Sequence, residues 1–444
     1  MGSYSEFTES SLYSNTNEGI NFTGKLGSSS TIWYPASGFR SGSDGSLVVG
    51  GYGNYWSVTP SEDNSYSLSF SDYGRINPIS SISHAAGLPV RCQKEKSNDA
   101  AATPEVVATY LSKKGTANSY IVWETGTYKF PTVKGNSKES VGTVASVEVL
   151  WESYGTSTAP SVGNLVKSPS YANGYITFST ASTYSKGNAV IAAKNASGTI
   201  LWSWHIWLTD TPKDQVYYGS AGTMMDRNLG ATTASSGVGA LGLLYQWGRK
   251  DPFLGSSSIS QNTVAKSTAT WPSTVSSSSS TGTIEYSIKC PMKFITYNTK
   301  NYDWYYTGNS STDNTRWQSE KTIYDPCPAG YRVPDGGNTG VWYKAVGKAY
   351  YTDTSLYSSS KKGMNFAGDF GSSSTIWYPD SGYRYGYGGS VVGTGTDGRY
   401  WSVTPISDFN YTAYCLAFYN EGYVNMVFTE DRSDGYSVRC QKIE

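Results

Sequence analysis

The sequence predicts a β-rich protein that contains more than one domain. Its 444 residues exceed the usual size of a single domain. It contains 38 tyrosines, 14 tryptophans and 48 glycines, and these residue types favour strands and turns. One sequence block also occurs twice, because residues 19–35 and 363–379 agree at 13 of 17 positions. We therefore expect a repeated β-rich block near each end and a separate middle segment.

The charge balance argues against capture of polyanions. Lys and Arg together number 34, as do Asp and Glu, and charged residues make up 15% of the chain. Such a neutral, weakly charged chain lacks the basic surface that nucleic acids or anionic membranes attract. The sequence has no apolar run of about 18 residues, so we expect no transmembrane segment. Its first residues, MGSYSEF, do not resemble a secretory signal.

The first part, residues 1–97, contains the shorter copy of the block. It reads GINFTGKLGSSSTIWYP, then YWSVTP, and ends on VRC at Cys92. Residues 98–105 are polar and do not alternate, which predicts a linker.

Residues 106–212 predict a β-sandwich of the immunoglobulin-like type. Short runs such as SYIVW, SVEVLW and GYITFST are separated by turn sequences such as KGN and ANG. The run Thr199–Asp210 is largely apolar on both faces, so we expect a central strand or one packed against a neighbouring domain.

Residues 213–444 carry five motifs in order: MDRNLGA, YQWGRKDPF, DPCPAGYRVP, YWSVTP and GYSVRC. This series resembles the FISUMP-type domain, the major paralogous domain of bacterial surface lipoproteins, which implies an α+β C-type-lectin-like fold. The preceding segment resembles the sandwich of fimbrillin-like surface proteins from anaerobic gut bacteria. Within residues 213–444, the run Val341–Tyr351 predicts a helix.

The resemblance implies a disulfide between Cys327 and Cys440. Such a bond would place the chain in an oxidising compartment, at the extracellular or outer-membrane surface.

The first copy of the block departs from the FISUMP pattern. Residues 1–97 match only the latter half of the domain, and they contain no counterpart of Cys327. Three explanations stay open: the tail of an upstream repeat, a degenerate duplicate that packs on its neighbour, or a segment that completes a partner chain. We expect some form of docking, since half a domain buries little surface. Cys290 is a conceivable partner for Cys92.

We do not expect an enzyme, a metal site or a cofactor. The only histidines are His84 and His205, and no GxSxG, HExxH or P-loop motif is present. The related formylglycine-generating enzymes use paired cysteines, which Cys415 and Cys440 match in position only. The calcium triplets of C-type lectins, EPN and WND, are absent, and oxygen-bearing residues between Asp408 and Asn425 have no diagnostic spacing.

Ligand binding is better supported than catalysis. The two copies share the motifs GSSSTIWYP, YWSVTP and VRC but differ between them, mostly among Tyr, Ser, Asp, Asn, Phe and Gly. These residue types dominate antibody paratopes. A fixed frame with exchanged positions resembles the variable proteins of diversity-generating retroelements. We expect Trp377 and Trp401 to lie in the core, and the predicted ligand-binding residues are Tyr383, Tyr385, Tyr387, Arg399, Asn410, Tyr411, Tyr414, Tyr419, Asn420 and Tyr423.

The sequence therefore predicts a bacterial cell-surface adhesin whose partner is a surface protein or glycan of a host or another bacterium. One alternative is a structural subunit of a fibre or pilus that self-associates through residues 1–97. The other alternative is an oxidase of the formylglycine-generating type.

Overall fold

The computed structural model describes residues 7–22, 32–61, 63–92, 108–298, 302–308, 313–406 and 411–444. The chain forms two compact units, Met1–Pro104 and Glu105–Glu444, here called the N-terminal and C-terminal units. Strands dominate both units, which confirms the predicted β-rich class. None of the helices in the described ranges has the length and apolar character needed to cross a membrane.

The N-terminal unit is built on one antiparallel sheet with the strand order β1-β9-β8-β7. Its core lies on one side of this sheet and contains Ile20, Phe22, Tyr55 and Phe70. The nine strands are β1 Phe7–Thr8, β2 Tyr13–Ser14, β3 Gly19–Asn21, β4 Trp33–Pro35, β5 Phe39–Arg40, β6 Leu47–Val48, β7 Tyr52–Ser61, β8 Asn64–Ser71 and β9 Arg75–Ser83.

The C-terminal unit begins with a sandwich of two four-stranded sheets, here called the sandwich segment (residues 108–210). The sheet orders are β10-β12-β15-β14 and β11-β17-β16-β13. Aromatic rings fill the space between the sheets, for example Phe130 against Trp204 at 5.3 Å. The strands are β10 Thr109–Tyr110, β11 Ser119–Val122, β12 Thr127–Pro131, β13 Ser146–Ser153, β14 Val166–Ala172, β15 Tyr175–Thr180, β16 Gly187–Lys194 and β17 Ile200–Leu208.

Strand β17 confirms the prediction of a central strand with two apolar faces. It pairs with β11 on one side and β16 on the other. One face, which includes Trp202 and Trp204, lies in the sandwich core. The opposite face contributes Trp207 to the core of the following segment. This one strand therefore joins two cores within the C-terminal unit.

The rest of the C-terminal unit is here called the terminal segment (residues 213–444). Its largest sheet has the order β21-β20-β34-β31-β32-β33-β25, and β29 and β30 join it through β34. Its elements are β18 Asp214–Tyr217, β19 Gly222–Met225, β20 Leu243–Gln246, β21 Phe253–Leu254, β22 Val275–Ser276, α1 Ile284–Lys289, β23 Ile295–Thr296, β24 Tyr331–Arg332, α2 Val341–Val346, β25 Tyr350–Thr352, β26 Tyr357–Ser358, β27 Gly363–Asn365, β28 Trp377–Pro379, β29 Ser381–Arg384, β30 Val391–Thr394, β31 Asp397–Pro405, β32 Thr412–Tyr419, β33 Tyr423–Asp431, β34 Gly435–Ser437 and β35 Gln441–Lys442.

The large sheet separates two cores. Tyr400 and Phe418 face one core, and Trp401 and Cys415 face the other. Both Trp377 and Trp401 are buried, as predicted. The disulfide Cys327–Cys440 is present, and it ties the loop before β24 to the chain just before β35.

Helix α2 is shorter than predicted. It covers only Val341–Val346, because Gly347 adopts a left-handed conformation with φ +75° and ends it. The following residues, Tyr350–Thr352, form an edge strand on β33 instead of continuing the helix.

Candidate ligand-binding face

Five tyrosine rings form a continuous chain at the surface of the terminal segment. The centroid of Tyr387 lies 6.4 Å from that of Tyr385 and 5.7 Å from that of Tyr297. Tyr302 lies 4.8 Å from Tyr297 and 5.2 Å from Tyr411. Tyr385, Tyr387 and Tyr302 are 43%, 64% and 37% exposed. We call these five residues the tyrosine face.

The loop between β29 and β30 carries Tyr385 and Tyr387. Its backbone is held at Gly386, whose N–H donates to Asp434 Oδ1 at 2.5 Å. A Cβ atom at Gly386 would lie 2.3 Å from Ser433 Oγ, so only glycine allows this close approach. The Gly386 carbonyl accepts a hydrogen bond from the backbone of Tyr297. Two loops that are distant in sequence thus present their rings together.

Tyr302 and Tyr411 are held by the backbone that follows β33. The N–H of Ser433 donates to Tyr302 O at 3.1 Å, and that of Arg432 donates to Tyr411 O at 3.0 Å. Next to Tyr302, the buried Asp303 pairs with the buried Arg316. This buried ion pair anchors the chain directly after Tyr302.

A second aromatic group surrounds Arg399 on the same side of the large sheet. The guanidinium carbon lies 5.3 Å from the ring centre of Tyr383, 5.2 Å from that of Tyr419 and 4.8 Å from that of Phe428. Arg399 also forms ion pairs with Glu430 and Asp397. We call these residues the arginine cage. Arg399 is only 6% exposed, and its Nε is buried without a hydrogen-bond partner.

Three carboxylates connect the cage with the tyrosine face. Glu430 reaches Arg399, and Asp434 accepts hydrogen bonds from Gly386 and from Tyr436. Burial raises the pKa of Asp434 to about 8, and the Glu430 charge adds to this rise. The same two causes raise the pKa of Asp431 to about 7. The region beneath the tyrosine rings is therefore acidic, and the carboxyl groups of Asp431 and Asp434 change charge near neutral pH.

The predicted ligand-binding residues fall into separate places. Tyr385, Tyr387 and Tyr411 belong to the tyrosine face, whereas Tyr383, Arg399 and Tyr419 belong to the arginine cage. Tyr423 contacts Tyr419 at 6.0 Å, and Asn420 lies exposed in the turn between them. Tyr414 lies on the opposite side of β32, against Gly336 and Gly337. Asn410, like Asp408, lies outside the described residues.

Sequence reasoning missed Tyr297 and Tyr302. The run Asn301–Tyr306, which reads NYDWYY, marks an aromatic segment but not its neighbours in space. Tyr297 is brought to the face by its backbone bond to Gly386, and Tyr302 by the bond that its carbonyl accepts from Ser433.

The position that corresponds to the arginine cage is a cleft in the N-terminal unit. Asn54 stands where the C-terminal unit has Arg399. A cleft of about 510 Å³ lies beside it, with Ser69, Ser71, Arg75 and Ser80 among its lining residues. Their counterparts in the copy are Ala417, Tyr419, Tyr423 and Phe428. The same scaffold position therefore carries a packed aromatic cage in one unit and a polar cleft in the other.

Among the residues considered for catalysis, His205, Cys415 and Cys440 are buried, whereas His84 is exposed. His205 is buried between Ser119 Oγ at 3.0 Å and Asn188 Oδ1 at 2.9 Å, and burial lowers its pKa to about 3. Cys440 is held in the disulfide, and burial raises the pKa of the Cys415 thiol, which disfavours the thiolate. Cys92 and Cys290 are free thiols. Across the described ranges, no group of three or more His, Cys, Asp or Glu side chains is arranged to hold a metal ion.

Comparison with protein-family models, with curated proteins and with solved structures returned no match for this chain.

The carboxyl groups of Asp431 and Asp434 predict a pH dependence of stability. Because their pKa values are raised in the folded state, the folded chain binds more protons than the unfolded chain between about pH 4 and pH 8. The free energy of unfolding should therefore fall as the pH rises through this range. We expect a higher melting temperature at pH 5 than at pH 8, and Asp434→Asn should flatten the profile. A profile that rises towards pH 8 in both proteins would contradict this assignment.

Proposed function

We propose that this chain is a bacterial cell-surface adhesin that binds its partner through the tyrosine face. The observation that carries the proposal is the chain of five surface tyrosine rings, on loops held by backbone hydrogen bonds and underlain by carboxylates. Tyrosine gives a large amphipathic contact at low entropic cost, and it is enriched at binding hot spots. The neighbouring rings are tilted against one another by 47–51°, so they present one continuous aromatic surface for contact.

The chemistry of the face suits a partner rich in hydrogen-bond donors. Tyrosine rings provide flat apolar surface, while Asp431 and Glu430 are partly exposed and provide acceptors. Sugar rings with their hydroxyl groups, and protein surfaces with basic side chains, both match this combination. The resemblance to FISUMP-type domains and the disulfide Cys327–Cys440 support an extracellular setting.

The comparison between the two copies supports binding at this side of the fold. Buried frame residues such as Tyr400 and Trp401 have identical counterparts in Tyr55 and Trp56. The exposed Tyr385 and Tyr387 instead correspond to Ser41 and Ser43. Exchange at surface positions over a fixed frame is what a scaffold that serves different ligands requires.

The proposal predicts that truncation of the exposed rings abolishes binding while the fold persists. The fluorescently labelled chain would be applied to arrays of surface glycans and of cell-surface proteins, together with the variant Tyr385→Ala/Tyr387→Ala. We expect the wild-type chain to bind defined spots and the variant to lose at least 90% of that signal. Tyr350→Ala is the matched control, because Tyr350 is as exposed as Tyr387, at 64%, but lies on edge strand β25.

The control should bind like the wild-type chain, and all three proteins should have similar melting temperatures. If the double variant binds every spot as strongly as the wild-type chain, the tyrosine face is not the binding surface.

A further inference from the structure

The two copies of the repeated block each have their own core, and the two cores are packed in the same way. The ring centroids of Tyr34 and Tyr55 lie 4.9 Å apart in the N-terminal unit, and those of Tyr378 and Tyr400 lie 4.8 Å apart in the C-terminal unit. The strand order β1-β9-β8-β7 matches β25-β33-β32-β31. The two sheets therefore have equivalent positions on their other side as well.

On that other side, the sheet of the C-terminal unit is covered. Trp401, Val403, Val438 and Cys440 are at most 2% exposed. The covering residues come from the first half of the terminal segment and include Tyr245, Trp247, Trp317, Cys327 and Val333. The cover is specific, because the Trp401 indole donates to Tyr245 O at 2.8 Å and Cys440 is bonded to Cys327.

The N-terminal unit keeps four residues that this cover would contact, and it leaves three of them exposed and the fourth, Trp56, only partly buried. The counterparts of Trp401, Val403, Val438 and Cys440 are Trp56, Val58, Val90 and Cys92, identical in type. Val58 is fully exposed and Val90 is 69% exposed. Cys92 is an exposed free thiol. Apolar side chains in such positions mark an interaction surface.

The pattern of differences between the copies points to the same surface. On this side of the sheet, the arginine cage is replaced by the polar residues that line the cleft of the N-terminal unit. Four of the positions that pack against the first half in the C-terminal unit are unchanged, namely Trp401, Val403, Val438 and Cys440, whereas Ala413, Cys415 and Tyr436 are replaced by Ser65, Ser67 and Leu88. The N-terminal unit thus keeps the tryptophan, both valines and the cysteine that contact the cover in the C-terminal unit.

We propose that the uncovered sheet face of the N-terminal unit binds a half-domain built like residues 213–344, supplied by a polypeptide other than these 444 residues. The chain's own residues 213–344 are not available, because they already cover the second copy and their Cys327 is bonded to Cys440. The occupant would bring aromatic side chains for Trp56 and Val58 and a cysteine for Cys92. The two thiols would form a disulfide by exchange with a third disulfide, which takes up the two electrons and two protons and is reduced to two thiols.

A chain extended by a second copy of residues 213–344 directly before Met1 tests this proposal. Residue 344 then precedes Met1 as it precedes Ala345 in the terminal segment, since Phe7 corresponds to Tyr351. We expect non-reducing peptide mapping to find Cys92 and Cys440 each linked to a peptide with the Cys327 sequence. Amide hydrogen exchange in residues 52–61 and 64–71 should slow at least tenfold.

Two further proteins keep the test decisive if pairing or folding fails. In an extension whose added copy carries the equivalent of Cys327→Ser, exchange should still slow while Cys92 stays free. An extension of equal length and composition with a shuffled sequence should leave exchange unchanged. The proposal is overturned if the native extension leaves Cys92 free and residues 52–61 unprotected while residues 105–444 exchange as in the parent chain.

Discussion

Replacement of Asp303 with asparagine should destabilise the C-terminal unit by about 3–5 kcal/mol, the usual cost of leaving a buried charge without its partner. The Asp303 side chain is 1% exposed and pairs with Arg316, whose side chain is fully buried. Arg432, also fully buried, lies 3.6 Å from the same carboxylate. Asparagine keeps the shape of the side chain but leaves two buried guanidinium groups without their negative charge.

Urea denaturation followed by tryptophan fluorescence measures this effect, because Trp247 and Trp304 stack on Arg316. Glu285→Gln is the control, since it removes a carboxylate from the exposed pair with Lys289 and should leave the midpoint unchanged. The Asp303→Asn variant should also weaken ligand binding, because Asp303 anchors the loop that carries Tyr302. A midpoint for Asp303→Asn equal to that of the wild-type chain would contradict the structural role of the pair.

Removal of the Cys327–Cys440 disulfide should lower the free energy of unfolding of the C-terminal unit by a similar amount. The bond joins residues separated by 113 positions, and closure of a loop of this length is worth about 4–5 kcal/mol in the chain-entropy treatment. The double variant Cys327→Ser/Cys440→Ser avoids a leftover thiol. We expect its C-terminal unit to unfold at a clearly lower denaturant concentration than that of the oxidised parent.

Cys92→Ser is the matched control for this experiment, because it removes an exposed free thiol from the other unit. It should not change the unfolding midpoint of the C-terminal unit. The prediction is contradicted if neither the double variant nor reduction of the parent chain changes that midpoint, because the disulfide then contributes no stability.

Much of the fold could be predicted from local patterns. Alternating apolar runs with glycine and asparagine turns indicated the strands, and β17 was recognisable because both of its faces are apolar. Trp377 and Trp401 were identified as core residues because they belong to the part shared by the two copies. The predicted end of α2 was wrong. The helical spacing of apolar residues continues to Tyr351, but Gly347 ends the helix and Tyr350–Thr352 pairs with β33 as an edge strand.

The site was predicted only in part, because side-chain placement depends on partners that are distant in sequence. Tyr414 and Tyr419 are both tyrosines of β32, yet they lie on opposite sides of the sheet. Arg399 was predicted to bind the ligand, but its aromatic and acidic neighbours enclose it. Tyr297 and Tyr302 join the face through backbone hydrogen bonds that no local pattern encodes.

The most direct test of the tyrosine face is the dissociation constant of one array-identified partner for three proteins, measured by surface plasmon resonance. These are the wild-type chain, Tyr385→Ala/Tyr387→Ala and Tyr350→Ala. Loss of two hot-spot tyrosines at about 2 kcal/mol each predicts a dissociation constant raised by roughly 10²- to 10³-fold. Tyr350→Ala should stay within about twofold of the wild-type value. Equal affinities for all three proteins would contradict the assignment of the tyrosine face as the binding surface.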